Sequence, residues 1–216
     1  MKTVGKIGYW SAILSTIFAI GYSVPQIFST LKLIPHPQDL VWLFVPSLFL
    51  APAFLIAIIC LHYYSDENLK IWTALGVAFA LLYAGDISLV YFTQLTVIIP
   101  QLLKNEITET HVLAFHSKSF LMAVDCLGYF FMSLSTFFAA FAFSNVKWLF
   151  RGLLYNGLLL PVLVLAFFYP VFYYVGALWM ITFPVAMLNT ARLFREKLPD
   201  TWHVKALDAE GQFLKS

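Results

Sequence analysis

The chain has 216 residues, of which 61% are apolar and only 11% carry a charge. A soluble domain normally contains about 25% charged residues, and the mean hydropathy of +0.83 departs in the same direction. This composition argues against one soluble core, because a chain of this size must still cover a large surface. The net charge of +2 includes no basic run that could follow phosphates, so nucleic acid is excluded as a partner. The partner that the composition predicts is the lipid bilayer.

Charged residues are so sparse that they divide the chain into apolar segments. A helix needs roughly 20 apolar residues to cross a hydrocarbon core of about 30 Å, and the continuous apolar runs lack the alternation of a barrel. The first four gaps between charges each fit one helix. The sequence therefore predicts an all-α, polytopic membrane protein, a single domain with a bundle of six transmembrane helices. The approximate spans are 7–31, 40–63, 71–101, 118–144, 148–168 and 171–192.

The last two of these spans come from one long uncharged stretch, residues 152–191, which is about twice as long as one crossing requires. Tyr169 and Pro170 lie in its middle. Proline lacks a backbone donor and disfavours helix in the residue before it. We therefore predict a tight helical hairpin with its corner at this dipeptide.

The distribution of basic residues predicts the orientation. With six helices, both termini lie on one side, and ten of the Lys and Arg residues fall there, including those of the tail 193–216. The opposite side holds three: Lys32, Lys104 and Lys118. Because cytoplasmic loops carry the excess of basic residues, both termini and the tail are predicted to be cytoplasmic. The longest outer connection, 102–117, carries Glu106, Glu109, His111 and His116, which we interpret as a solvated loop rather than a metal site.

Two carboxylates interrupt the apolar spans. Asp86 lies in the middle of the third span, and Tyr83 and Gln94 fall on roughly the same helical face. Asp125 lies in the outer half of the fourth span, with Tyr129 one turn later. Intramembrane carboxylates usually face the bundle interior and carry function. Our hypothesis is that Asp86 and Asp125 line one shared cavity that opens outward, while the competing interpretation is that each binds a neighbouring helix.

Two amides complete the predicted ligand-binding residues. Gln26 lies in the first span and Asn156 in the fifth. Either side chain could bind a ligand, although contact between helices is the commoner role of such residues. Aromatic residues make up 18% of the chain, and rings beside a buried carboxylate suit an organic cation.

Motifs for cofactors and metals are missing from the sequence, so no cofactor, metal site or catalytic residue is predicted. Both cysteines, Cys60 and Cys126, lie inside apolar spans and are interpreted as apolar fillers rather than a disulfide. The leading hypothesis is a protein that binds or transports a small cationic or amphiphilic molecule among its helices. The alternatives are an intramembrane enzyme for a lipid-like substrate, which would use both aspartates as acid and base, and a sensor or accessory membrane subunit. The oligomeric state stays open.

Overall fold

The computed structural model describes residues 2–104, 113–115, 119–169 and 171–197. Within these ranges the chain is helical and contains no strand, so the all-α prediction is confirmed. The helices are α1 (Lys2–Thr30), α2 (Gln38–Tyr64), α3 (Lys70–Thr93), α4 (Ile99–Lys104), α5 (Phe120–Phe141), α6 (Lys147–Gly157), α7 (Leu160–Phe168), α8 (Phe172–Gly176) and α9 (Trp179–Lys197).

Some predictions fall outside the described residues. These are the acidic and histidine residues of the outer connection (Glu106, Glu109, His111 and His116), Lys118, the hairpin proline Pro170, and the tail from residue 198 onward.

Among the described residues, five helical stretches are long and apolar enough to cross a membrane, and they indicate an integral membrane protein. The stretches are Lys2–Thr30, Gln38–Tyr64, Glu67–Lys104, Phe120–Phe141 and Tyr174–Lys197. The third is continuous because a turn of 3₁₀ helix precedes α3 and a turn of π helix joins α3 to α4. The predicted span 148–168 is instead divided between α6 and α7, and neither piece is long enough by itself. The number of six crossings therefore stays a prediction.

The division between α6 and α7 has a local cause. Pro161 has no N–H to donate to the Gly157 carbonyl, so the helical ladder cannot continue through this turn. The Leu158 amide still makes the regular helical bond to the Leu154 carbonyl at 2.8 Å, whereas the Leu159 amide bonds to the Asn156 carbonyl, three residues back, at 3.3 Å. Gly157 also lies directly against α5, because a Cβ atom at this position would be 2.7 Å from the Cα of Phe137.

The long helices form a closed bundle. Each of α1, α2, α3, α5, α6 and α9 packs against the next in this order, and α9 returns to pack against α1. Five aromatic side chains fill the centre, and each ring contacts the next so that the set closes on itself. We call this set the aromatic cycle. Its successive centroid distances are 5.5, 6.0, 5.1, 5.3 and 5.5 Å, through Phe54, Tyr83, Tyr129, Trp179, Phe183 and back to Phe54.

Candidate functional site

A cavity of about 560 Å³ lies between α1, α5 and the beginning of α9. It occupies the end of the bundle at which α1 ends and α5 begins. Its lining is mostly apolar and aromatic, which is typical of sites for small organic molecules, and its volume lies in their usual range of about 300–1,000 Å³. We call it the α1–α5–α9 cavity.

Asp125 is the acidic side chain in the lining of this cavity. Ser119 begins α5 as its N-cap, because its hydroxyl accepts a hydrogen bond from the Met122 amide at 3.2 Å. Asp125 follows within the next turn, lines the cavity and is only 8% exposed. Its Oδ1 atom has no hydrogen-bond partner among the described residues, while the Tyr91 hydroxyl interacts with the carboxyl group. A buried polar atom without a partner is costly, so the carboxyl is suited to receive one from a ligand.

Aromatic rings form the walls beside Asp125. The Trp179 ring contacts Tyr129 at 5.1 Å and Tyr22 at 5.8 Å between centroids, edge-on in both cases. The Trp179 indole N–H donates to the sulfur atom of Met132 at 3.1 Å, which fixes the ring from behind. All three rings line the cavity and belong to α1, α5 and α9. They therefore bring an electron-rich surface from three helices to one carboxyl group.

A row of polar side chains runs along α1 on the same cavity. The Tyr22 hydroxyl donates to Oε1 of Gln26 at 3.2 Å, and Nε2 of Gln26 donates to the Thr30 hydroxyl at 3.4 Å. The three residues are four apart, so they stack on one helical face, and all three line the cavity. This row gives the cavity hydrogen-bonding groups in addition to the Asp125 carboxyl.

The structure brings together only part of the predicted site. Asp125, Tyr129 and Gln26 all line the α1–α5–α9 cavity. Tyr83 lies behind it in the aromatic cycle, fully buried, and its hydroxyl lacks a hydrogen-bond partner within the described ranges. Asp86 does not line the cavity. It is half-buried near the contact between α3 and α5, with its Cβ next to Gly128 of α5. The lining therefore contains one of the two predicted carboxylates.

The remaining two predicted residues bind other parts of the chain. Gln94 is buried, and its Nε2 atom donates to the Leu113 carbonyl at 2.6 Å. Asn156 is also buried. It donates to the Thr136 hydroxyl at 3.0 Å and accepts from the Thr182 hydroxyl at 3.2 Å, so it joins α5, α6 and α9. Both amides lie outside the lining of the cavity and hold the fold together.

Sequence reasoning missed Trp179 and Tyr91. Both are deeply buried, Tyr91 against the Asp125 carboxyl and Trp179 in the wall of the same cavity. In a chain with 18% aromatic residues, neither stands out by spacing or composition. A third residue, Cys126, lines the cavity next to Asp125 and is a free thiol.

Taken together, the described residues define an all-helical, apolar bundle with an acidic, aromatic-lined cavity, and its long apolar helices indicate an integral membrane protein. In the part of the chain that the structure describes, no three His, Cys, Asp or Glu side chains are grouped so that they could hold a metal ion. No known protein family matches the chain, and no curated protein or solved structure matches it.

Proposed function

We propose that this protein binds a small organic cation, a protonated or quaternary amine, in the α1–α5–α9 cavity. The observation that carries the proposal is the buried Asp125 carboxyl, which belongs to the lining of the cavity and has an oxygen atom that lacks a partner among the described residues. A positive ligand would supply the opposite charge that a buried carboxylate requires. The ligand would then give the Asp125 oxygen atom the partner that it lacks.

The aromatic walls support the same ligand class. Tyr22, Tyr129 and Trp179 present rings around the carboxyl, and cations are attracted to the faces of such rings. Within the described ranges, the lining includes no Lys, Arg or His side chain that could neutralise Asp125 internally. The polar row of Tyr22, Gln26 and Thr30 would orient a ligand that also carries a hydroxyl or carbonyl group.

We further propose that the protein crosses the membrane six times with both termini in the cytoplasm, and that binding is the first step of transport. The basic residues favour this orientation. The end of the bundle at which α1 ends would then face outward, so the cavity would capture its ligand from the outer side. The enzyme hypothesis needs two acidic groups at one substrate, and the cavity lining supplies Asp125 without Asp86. Binding is therefore the better-supported function.

The proposal is tested with two compounds of the same shape. Benzyltrimethylammonium is a quaternary cation, and neopentylbenzene is its neutral carbon analogue. Radiolabelled benzyltrimethylammonium is measured on the full chain in lipid nanodiscs, with neopentylbenzene as competitor. We expect Asp125→Asn to weaken binding by about 30-fold or more, because it removes one partner of a buried charge pair.

Asp86→Asn is the matched control, since it removes an intramembrane carboxyl that lies outside the cavity lining and should leave binding unchanged. The proposal is wrong if the wild-type chain does not bind the cation, if the neutral analogue competes equally well, or if Asp125→Asn binds like the wild type.

A further inference from the structure

Asp125 has no cationic side chain beside it in the part of the chain that the structure describes. Its side chain is 8% exposed, and its Oδ1 atom is enclosed without a hydrogen-bond partner there. The described lining of the cavity contains no basic residue, and none of the described salt bridges involves Asp125. A buried carboxylate without an opposite charge is costly, and such a group normally takes up a proton instead. In the absence of a cationic ligand, the bundle therefore favours the neutral carboxyl.

The other titratable groups around Asp125 are phenols and one thiol, and such groups normally hold their protons at neutral pH. They come from α1, α3, α5 and α8: Tyr22, Tyr83, Tyr91, Cys126, Tyr129 and Tyr174. Of the helices that pack on α5, α7 carries no titratable side chain. On α6, Lys147 and Arg151 lie at the end of the bundle where α5 ends, away from Asp125, and Tyr155 is exposed. Asp86 of α3 lies outside the cavity lining.

Two hydroxyl groups beside Asp125 suit both forms of its carboxyl. The Tyr91 hydroxyl interacts with the carboxyl, and it also lies 3.3 Å from the Tyr129 hydroxyl in a hydrogen bond that either oxygen can donate. A hydroxyl donates one hydrogen bond and also accepts. A protonated carboxyl can therefore donate to Tyr91, which then donates to Tyr129, and an ionised carboxyl can accept along the same chain in the opposite direction. Rotation of two hydroxyl groups is enough to accommodate the loss of the proton.

We propose that Asp125 exchanges its proton for the organic cation: the carboxyl is protonated without ligand, and binding of the cation releases this proton to water. The inference rests on the proposed binding function and adds a second ion to it. A protonated carboxyl is neutral, and a carboxylate paired with a cation is neutral as well, so the buried site carries no net charge in either state. Under the proposed transport function, a carboxyl that holds either the proton or the cation would couple their movements in opposite directions.

Proton release is measured on the full chain in detergent at low buffer concentration, with a pH-indicator dye, while benzyltrimethylammonium is added. This quaternary cation has no proton to lose, so a released proton comes from the protein. We expect about one proton per bound cation at mildly acidic pH. Protons compete with the cation, so the Kd should fall about tenfold for each unit by which the pH rises, until Asp125 is ionised even without ligand.

Matched variants identify the carboxyl that loses the proton. Asp125→Asn has no such proton, so its remaining binding should release none and should not depend on pH. Asp86→Asn removes a carboxyl outside the cavity lining and should release a proton as the wild type does. Infrared difference spectra give an independent measurement. The carbonyl band of a protonated carboxyl should disappear when the cation binds to the wild type and to Asp86→Asn, but no such change should occur in Asp125→Asn.

The outcomes separate this inference from the binding function. Binding of the cation without proton release, or with a Kd that does not change with pH, would overturn the exchange and leave the binding function standing. Proton release that persists in Asp125→Asn, or that is lost in Asp86→Asn, would also overturn it. A wild-type chain that does not bind the cation contradicts both proposals. Thermal unfolding of each variant in detergent shows whether it is folded, and the wild-type measurements decide the matter if Asp125→Asn is not.

Discussion

The ring of Trp179 stands edge-on against the ring of Tyr129, with centroids 5.1 Å apart and planes at 83°. The N–H···S bond from Trp179 to Met132 holds the indole on its other side. Both rings line the cavity and are almost fully buried. The aromatic wall is thus held in place by contacts within the chain, and a wall held in this way would save the proposed ligand the entropy of ordering these side chains.

Tyr22 provides the most direct test of the aromatic wall. We expect Tyr22→Leu to weaken benzyltrimethylammonium binding by about 2- to 30-fold, since a cation–π contact contributes about 0.5–2 kcal/mol. Tyr22→Phe keeps the ring and loses the hydroxyl that donates to Gln26, so binding of this probe should be nearly unchanged. Both are measured by the nanodisc binding assay. Equal losses in the two variants would show that the hydroxyl, and not the ring, is what matters.

Asn156 should matter for stability and not for binding. Asn156→Leu puts a somewhat larger, apolar side chain in place of the amide and removes the hydrogen bonds with Thr136 and Thr182. Hydrogen bonds between membrane helices contribute modestly, so we expect a loss of about 1–2 kcal/mol in the free energy of unfolding. The measurement is unfolding by SDS titration in mixed micelles.

Tyr155→Leu is the control for Asn156, because the neighbouring Tyr155 side chain is exposed and should tolerate the change. The affinity of the folded protein for benzyltrimethylammonium should be the same in Asn156→Leu, in Tyr155→Leu and in the wild type. A selective loss of probe affinity in Asn156→Leu would contradict a structural role and restore the ligand-binding interpretation.

The packing of α6 on α5 is tested by comparing Gly157, which lies in a close contact, with Gly85, which lies in open space. Gly157→Ala would place a Cβ atom 2.7 Å from Phe137 Cα, so the helices must separate. Overpacking of this kind typically costs about 1–3 kcal/mol. Gly85→Ala meets nothing within 4 Å and should leave the stability of the monomer nearly unchanged. Unfolding of both variants is compared in detergent at low protein concentration, and equal stabilities would contradict the close approach at Gly157.

The two ends of α2 test the proposed orientation. His36 precedes α2 and Glu67 follows it, and their side chains are 63% and 83% exposed. A membrane-impermeant maleimide added to intact cells should label His36→Cys, while Glu67→Cys should react only after the membrane is opened. The parent chain, with Cys60 and Cys126, gives the background. The reverse pattern of labelling would place both termini outside.

The all-helical class and the apolar stretches follow from the sequence because charges in this chain occur mainly where the bilayer ends. It is harder to predict from the sequence which side of each helix faces the interior of the bundle. The buried residues of α3 include Tyr83, Ile87 and Val90, and Asp86 lies about 100° away from Ile87 around the helix axis. Since nearly every side of α3 is apolar, the hydrophobic pattern cannot distinguish a lipid-facing side from a core-facing one. The predicted shared face of Tyr83 and Asp86 is therefore divided: Tyr83 is fully buried in the aromatic cycle, whereas Asp86 is half-buried beside α5.

The break before α7 illustrates a second limit. The sequence predicts one interruption of the stretch 152–191, at Tyr169 and Pro170, and α7 does end at Phe168 with Tyr169 in an extended conformation. The break before α7 is a second interruption that the sequence did not predict. Pro161 interrupts the ladder at Gly157, where α6 also contacts α5. Which proline bends a membrane helix depends on the packing around it as well as on the missing donor.

The aromatic cycle has a consequence for the passage of molecules through the bundle. Two of its five rings, Tyr129 and Trp179, also belong to the wall of the α1–α5–α9 cavity. Under the proposed transport function, the side chains that contact the ligand on one side would thus be the same ones that obstruct its route to the other side. A ligand that displaced the Tyr129 or Trp179 ring on binding would therefore also open the aromatic cycle that lies on its way out.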